Sequence, residues 1–186
     1  MAPNPSPRDV AVIVGSLRKG SYTRQIARIL ISLAPPTLNL EIVEIGQLPM
    51  YNQDLETDAP PEQWVAFRER IRRADAVLFA TPEYNRSMPA VIKNAIDVGS
   101  RPKATNAWNG KPGAVVSVST GQIGGFGANQ HLRQSLVFIN VQPLQTPEVY
   151  LSNVTTLLDD QGNLMREDTK EFLRGFMGKF GEFVGR

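Results

Sequence analysis

Three polar stretches carry the residue types that binding a phosphorylated, flat ligand would require. The first, residues 15–23, brings together Gly15, Ser16, Arg18, Ser21, Tyr22 and Thr23. It follows an apolar run and precedes a helical pattern, so its free backbone N–H groups and the positive helix end would face an incoming anion. The hydroxyls of Ser16, Ser21 and Thr23, with the Arg18 guanidinium and Tyr22 among them, would complete a phosphate cup. Charge-assisted hydrogen bonds of this kind are each worth about 1.5–3 kcal/mol. Two familiar phosphate loops do not match. A nucleoside triphosphate loop needs Lys directly after its second glycine, where Gly20 is followed by Ser21; a dinucleotide fingerprint needs glycine where Leu17 stands. An ordinary capped turn with Ser21 as N-cap accounts for this loop equally well.

The second stretch, residues 81–89, places Glu83, Tyr84, Asn85 and Arg86 between Pro82 and Pro89. A plain connection needs turn residues, but not an acid, an aromatic and an amide between two prolines. Such a loop suits the edge of a flat heterocycle, with Pro82 holding the chain extended and Tyr84 as a wall. The third stretch, residues 119–127, follows Ser119 and Thr120 with Gly121, Gly124, Gly125 and Gly127. Glycine lets backbone approach a ligand closely, and it equally makes a flexible surface loop.

These stretches must be positioned by the elements between them. Residues 10–14 form an unbroken apolar run, the pattern of a parallel strand buried on both faces. Ile26, Ile29, Leu30 and Leu33 then recur at helical spacing until Pro35 and Pro36. The pattern repeats with strands expected at 38–45, 76–80, 113–119 and 141–151, the last interrupted by Pro143 and Pro147. Helices are expected over 61–73, 89–99, 128–139 and 169–184. This alternation predicts an α/β fold, a doubly wound parallel sheet of five strands with helices on both faces. In such a sheet ligands bind beyond the carboxyl ends of the strands, where all three stretches fall. The stripe of Phe172, Phe176, Phe180 and Phe183 on the last helix is expected to pack in the core.

Residues 1–8 are expected to be a disordered leader and 9–186 one domain, a size within the usual range. The excess of 20 basic over 18 acidic residues is too small for a nucleic-acid or membrane-binding surface. No apolar stretch has the length of a bilayer span, and nothing at the start resembles a signal peptide, so a cytoplasmic protein is expected. The absence of cysteine excludes thiolate metal sites and cysteine nucleophiles. The single histidine, His131, cannot build a metal site and is expected to pack or to lie at an interface. Lys93 and Asp97, four apart on a helix, are expected to form a local ion pair.

Taken in order, the three stretches resemble the NADPH-dependent FMN reductase family, and most closely its chromate and quinone reductase branch. The likeness also covers Leu48 to Asn52, Lys93 to Asp97, His131 to Gln134, and Pro147 with Glu148. It implies a flavodoxin-like fold, noncovalently held FMN, NAD(P)H as co-substrate and a homodimer or homotetramer with the flavin near a subunit contact. By the family pattern Ser16, Arg18, Ser21 and Thr23 take the FMN phosphate. Pro82, Glu83, Tyr84 and Asn85 line the flavin ring, with Arg86 beside it, and Ser119, Thr120 and Gly121 complete the far side. The resemblance implies hydride transfer from reduced nicotinamide through FMN to quinones, chromate, free flavin or azo compounds, with no catalytic side chain assigned. Thr23 replaces an asparagine of the family, Arg86 an aromatic and Val98 a tryptophan, which implies a more cationic, less walled substrate face. An electron-carrier flavodoxin is the alternative, although such carriers tend to be acidic and the sequence pI here is about 9.0. A phosphoacceptor signalling module would need paired acids after the first strand, where Gly15 and Ser16 stand.

Overall fold

The computed structural model describes residues 6–186, so most of the expected leader, residues 1–5, lies outside the described residues. Arg8 belongs to the fold and not to that leader. It opens β1 (Arg8–Val14), and its amide donates to the Thr37 carbonyl at 2.9 Å. The strands β2 (Leu38–Val43), β3 (Ala76–Pro82) and β4 (Pro112–Val118) join β1 in the order β2-β1-β3-β4, every pair parallel.

The expected fifth strand is split. β5 (Gln142–Pro143) pairs with the start of β4 and β6 (Val149–Leu151) with its end, both parallel, so the two occupy one interrupted position. Pro143 and Pro147 bound the gap, where a ring in place of an N–H removes a ladder donor. Strand 2 ends at Val43, two residues short of expectation.

Among the described residues five α-helices cover the sheet: α1 (Tyr22–Ser32), α2 (Glu62–Arg73), α3 (Ala90–Gly99), α4 (Phe126–Phe138) and α5 (Glu167–Val184). Alternate residues of β1 face opposite sides, as a pleated strand requires. Val10, Val12 and Val14 pack with Ile26 and Leu30 of α1 and with Phe176 and Phe180 of α5. Ala11 and Ile13 pack with Trp64 of α2, Ile92 of α3 and Leu132 of α4. The Phe stripe thus belongs to the core at Phe176 and Phe180, with Phe183 partly buried and Phe172 at the surface.

Candidate functional site

The strand order reverses direction at β1 and β3, which opens a crevice at their carboxyl ends. The loop after β1 lies against the loop after β3. Gly15 donates to the Ala80 carbonyl at 2.9 Å, and a Cβ on Gly15 would stand 2.6 Å from Ile92 Cδ1 and 2.9 Å from Pro82 Cδ. Only glycine lets the two loops meet. Beyond it, Ser21 caps α1, its Oγ accepting from the Arg24 amide at 3.1 Å. The backbone amides of residues 16–20 and of Tyr22 and Thr23 donate to no backbone carbonyl. Ser16 and Thr23 are buried, yet their hydroxyls meet no partner among the described residues, and no buried side-chain polar atom is left sealed and unpaired. These donors therefore face an open cleft.

The loop after β3 makes a tight turn. Tyr84 and Ser87 exchange both backbone hydrogen bonds at 3.0 Å, with Asn85 and Arg86 at φ of 51° and 63°. Two consecutive left-handed residues between paired positions define a type I′ hairpin turn. Glu83 ties this turn to the neighbouring helix. One of its carboxylate oxygens accepts from Arg86 Nη1 at 2.8 Å and the other from the Ala128 amide, in the first turn of α4, at 3.1 Å. The N-cap residue of α4, Gly125, supplies no side chain, so Glu83 caps that helix from another part of the chain.

The glycine-rich loop is fixed by its neighbours. Ser119 donates to the Leu151 carbonyl and accepts from Val154, and Gly121 accepts from Asn153. Gly124 and Gly125 have φ of 63° and 77°, and a Cβ on Gly124 would lie 2.8 Å from the Tyr150 backbone. This is a close-packed turn and not a flexible surface loop.

The three loops enclose a cleft of about 130 Å³ lined by Ser16, Arg18, Ser21, Tyr22, Thr23, Pro82, Glu83, Tyr84, Ser119 and Thr120. Ten of the expected site residues thus come together. Asn85, Arg86 and Gly121 stand outside the lining, although Asn85 and Arg86 form the turn at its edge. Val118 and Val154 also line the cleft and were not expected there. Val118 ends β4, so its place at the crevice follows from the topology; Val154 comes from the segment after β6, which carries no sequence signal. Val98 is wholly buried and its carbonyl accepts from Arg68 Nε at 2.9 Å. It therefore belongs to the core and not to a substrate wall.

Lys93 and Asp97 form the expected local pair, at 2.6 Å. His131 is exposed, with Nδ1 3.0 Å from Ser87 Oγ. Both residues of the pair and His131 border a second, larger hollow of about 610 Å³ between α3 and α4. This hollow is the bigger one, but it lies away from the unpaired donors of the crevice. Among the described residues no group of acids and histidine could hold a metal ion.

A parallel sheet in this order, with unpaired donors after β1 and a proline-bounded turn after β3 at one open crevice, defines a flavodoxin-like α/β fold. Residues 8–156 match the NADPH-dependent FMN reductase family, and the chain belongs to that family. A quinone reductase of Pseudomonas putida is 60% identical over 175 residues, covering 94% of each chain. A 2-hydroxy-1,4-benzoquinone reductase of Burkholderia sp. is 44% identical, over 94% of this chain and 95% of the relative. In structure the chain is similar to FerB, a flavoenzyme NAD(P)H:(acceptor) oxidoreductase from Paracoccus denitrificans. That likeness has a TM-score of 0.90 and 41% identity over 96% of this chain and 97% of the other. FMN is the cofactor and NAD(P)H the electron source.

Proposed function

We propose that this protein reduces quinones at the expense of NAD(P)H, with FMN held in the three-loop cleft. The observation that carries the assignment is the set of unpaired donors after β1. Buried hydroxyls and free amides at a helix N-terminus suit a phosphate monoester, whose oxygens accept from several donors at once. Ser16, Arg18, Ser21, Tyr22 and Thr23 would hold that phosphate. Pro82, Glu83, Tyr84 and Asn85 would border the flavin ring, with Ser119, Thr120 and Gly121 opposite. The cleft volume suits a phosphate and its attached chain, which leaves the ring at the mouth beside Tyr84, itself 46% exposed.

When bound, FMN supplies the transfer of a hydride equivalent between nicotinamide and acceptor. The protein's part is to bind, orient and tune. Pro82 and the doubly bonded turn fix the loop beside the ring, and Glu83 locks it to α4. Quinones stand first among acceptors because of the quinone reductase relatives; chromate, free flavin and azo compounds are further acceptors to try.

We also propose that the residues from Arg8 onward form one domain, working in the cytoplasm as a homodimer or homotetramer. The face between α3 and α4 supports the assembly. There Phe138 is 82% exposed beside the larger hollow, and the neighbouring Val137 is also exposed, an apolar surface of the kind that subunits cover. No helix among the described residues is long and apolar enough to cross a membrane.

The test is direct. Purified, FMN-replete protein should be yellow and should oxidise NADPH when benzoquinone is supplied. Colourless protein that ignores added FMN would refute the site. Yellow protein that never consumes NAD(P)H would favour the electron-carrier alternative.

A further inference from the structure

The turn at the cleft mouth carries an unexplained residue. Type I′ turns need two left-handed residues, and asparagine followed by glycine is the favoured pair. Asn85 fits that rule, but Arg86 at φ 63° does not. Its conformation is imposed from outside. The Tyr84–Ser87 bonds close the turn, and Gly127 presses against it so tightly that a Cβ there would lie 2.8 Å from the Arg86 carbonyl oxygen. Non-glycine residues persist in such conformations where surrounding structure over-determines them, and they cluster at functional sites.

Packing does not explain the arginine, because its side chain is 71% exposed. A single donor, Nη1, is engaged by Glu83, and the other donors of the guanidinium meet no acceptor among the described residues. Glu83 in turn is mostly buried and has its second oxygen committed to α4. The acid thus acts as an anchor that holds the guanidinium at the mouth and leaves its remaining donors free. Arg18, exposed on the opposite loop, adds a second positive charge to the same cleft.

We propose that Arg86 is a specificity residue that engages an anionic substituent of the substrate at the cleft mouth. The shared chemistry is a phosphate or other oxyanion, and it can come from the hydride donor or from the acceptor. Planar guanidinium donors recognise both. This inference rests on the NAD(P)H oxidoreductase assignment above.

The experiment compares wild type with Arg86→Gly, which relieves the backbone while removing the charge, and with Arg86→Lys, which keeps the charge. Flavin reduction is followed with NADPH, NADH and an uncharged N-benzyl dihydronicotinamide. Reoxidation of dithionite-reduced protein is followed with ferricyanide, chromate and the neutral benzoquinone. In Arg86→Gly the ratio of kcat/KM for anionic over neutral partners should fall roughly fivefold, the scale of an exposed charge contact, and Arg86→Lys should recover most of it. A fall confined to donors assigns the anion to the nicotinamide phosphates, and one confined to NADPH assigns it to the ribose 2′-phosphate. A fall confined to acceptors assigns it to the oxidant. Ratios unchanged in both half-reactions overturn the proposal. Should wild type oxidise no dihydronicotinamide, the enzymatic assignment fails, while the reoxidation arm still decides the role of Arg86.

Discussion

Replacing Arg18 by alanine isolates the phosphate-binding claim from the stability of the fold. Arg18 is exposed and lines the cleft, and its side chain makes no hydrogen bond or ion pair within the described residues. Its removal should leave apoprotein unfolding within about 0.5 kcal/mol of wild type, as for other surface substitutions without a partner. Its contact with a phosphate is charge-assisted, worth about 1.5–3 kcal/mol, and its exposure places the loss near the lower end. About 1.4 kcal/mol is a tenfold rise in Kd for FMN. The assay is fluorescence titration of apoprotein with FMN and, in parallel, with riboflavin, which has the same ring and no phosphate. FMN affinity should fall about tenfold and riboflavin affinity should stay where it was. The FMN loss should also shrink as salt is raised, because the contact is partly screened. Equal losses for both ligands, or none for FMN, would refute the assignment of the cup.

Other perturbations test neighbouring parts of the structure. Ser21→Ala removes the cap of α1 and should cost about 1 kcal/mol in denaturant unfolding as well as weakening FMN binding. Gly15→Ala drives a methyl group into Ile92 Cδ1 and Pro82, so it should destabilise by about 1–3 kcal/mol, and adding Ile92→Val, which deletes that Cδ1, should recover part of the loss. Glu56→Ala strands Arg68, whose side chain is only 5% exposed and lies over Trp64, and should cost about 3 kcal/mol by chemical denaturation. Glu44 accepts two hydrogen bonds from Arg24, which hold its carboxyl below the usual carboxylate range. A depressed value means that the pair stabilises above the unfolded-state value and that this contribution is lost as pH falls through the folded one. Glu44→Gln should therefore be slightly less stable than wild type at neutral pH, by a few tenths of a kcal/mol, and the difference should fade as pH drops through the depressed folded-state value.

Much of this arrangement is legible in the sequence, for a physical reason. Central parallel strands are buried on both faces, so β1 appears as an unbroken apolar run, and the helices repeat apolar residues at the period their single buried face demands. The loop at 81–89 stands out because turn formation alone does not explain its residue types, and the other two stand out by falling at the same edge of the sheet. What the sequence conceals is set by distant partners. The fifth strand divides because two prolines interrupt its ladder, yet each piece finds its own end of β4, a pairing that no local pattern records. Val98 resembles a position on the substrate face, but the rotation of α3 buries it. The left-handed pair at Asn85 and Arg86 is equally hidden, since arginine gives no hint of positive φ.

The same long-range contacts explain how three separate loops make one preorganised site. Gly15 joins the first loop to Pro82 of the second, Glu83 joins the second to the first turn of α4, and Ser119 joins the third to β6 and the segment beyond it. A larger residue at 15 or an uncharged one at 83 would break the first two junctions, and the third is made by backbone hydrogen bonds. Movement of any loop must therefore strain a buried contact or expose an unpaired helix amide. A ligand entering such a cleft loses little free energy in ordering it, so binding strength goes into holding and orienting the cofactor. This rigidity also separates the two functions of the turn after β3. Its Glu83 face is committed to the fold, while its Arg86 face, held in a strained conformation by that same commitment, remains available to whatever approaches from solvent.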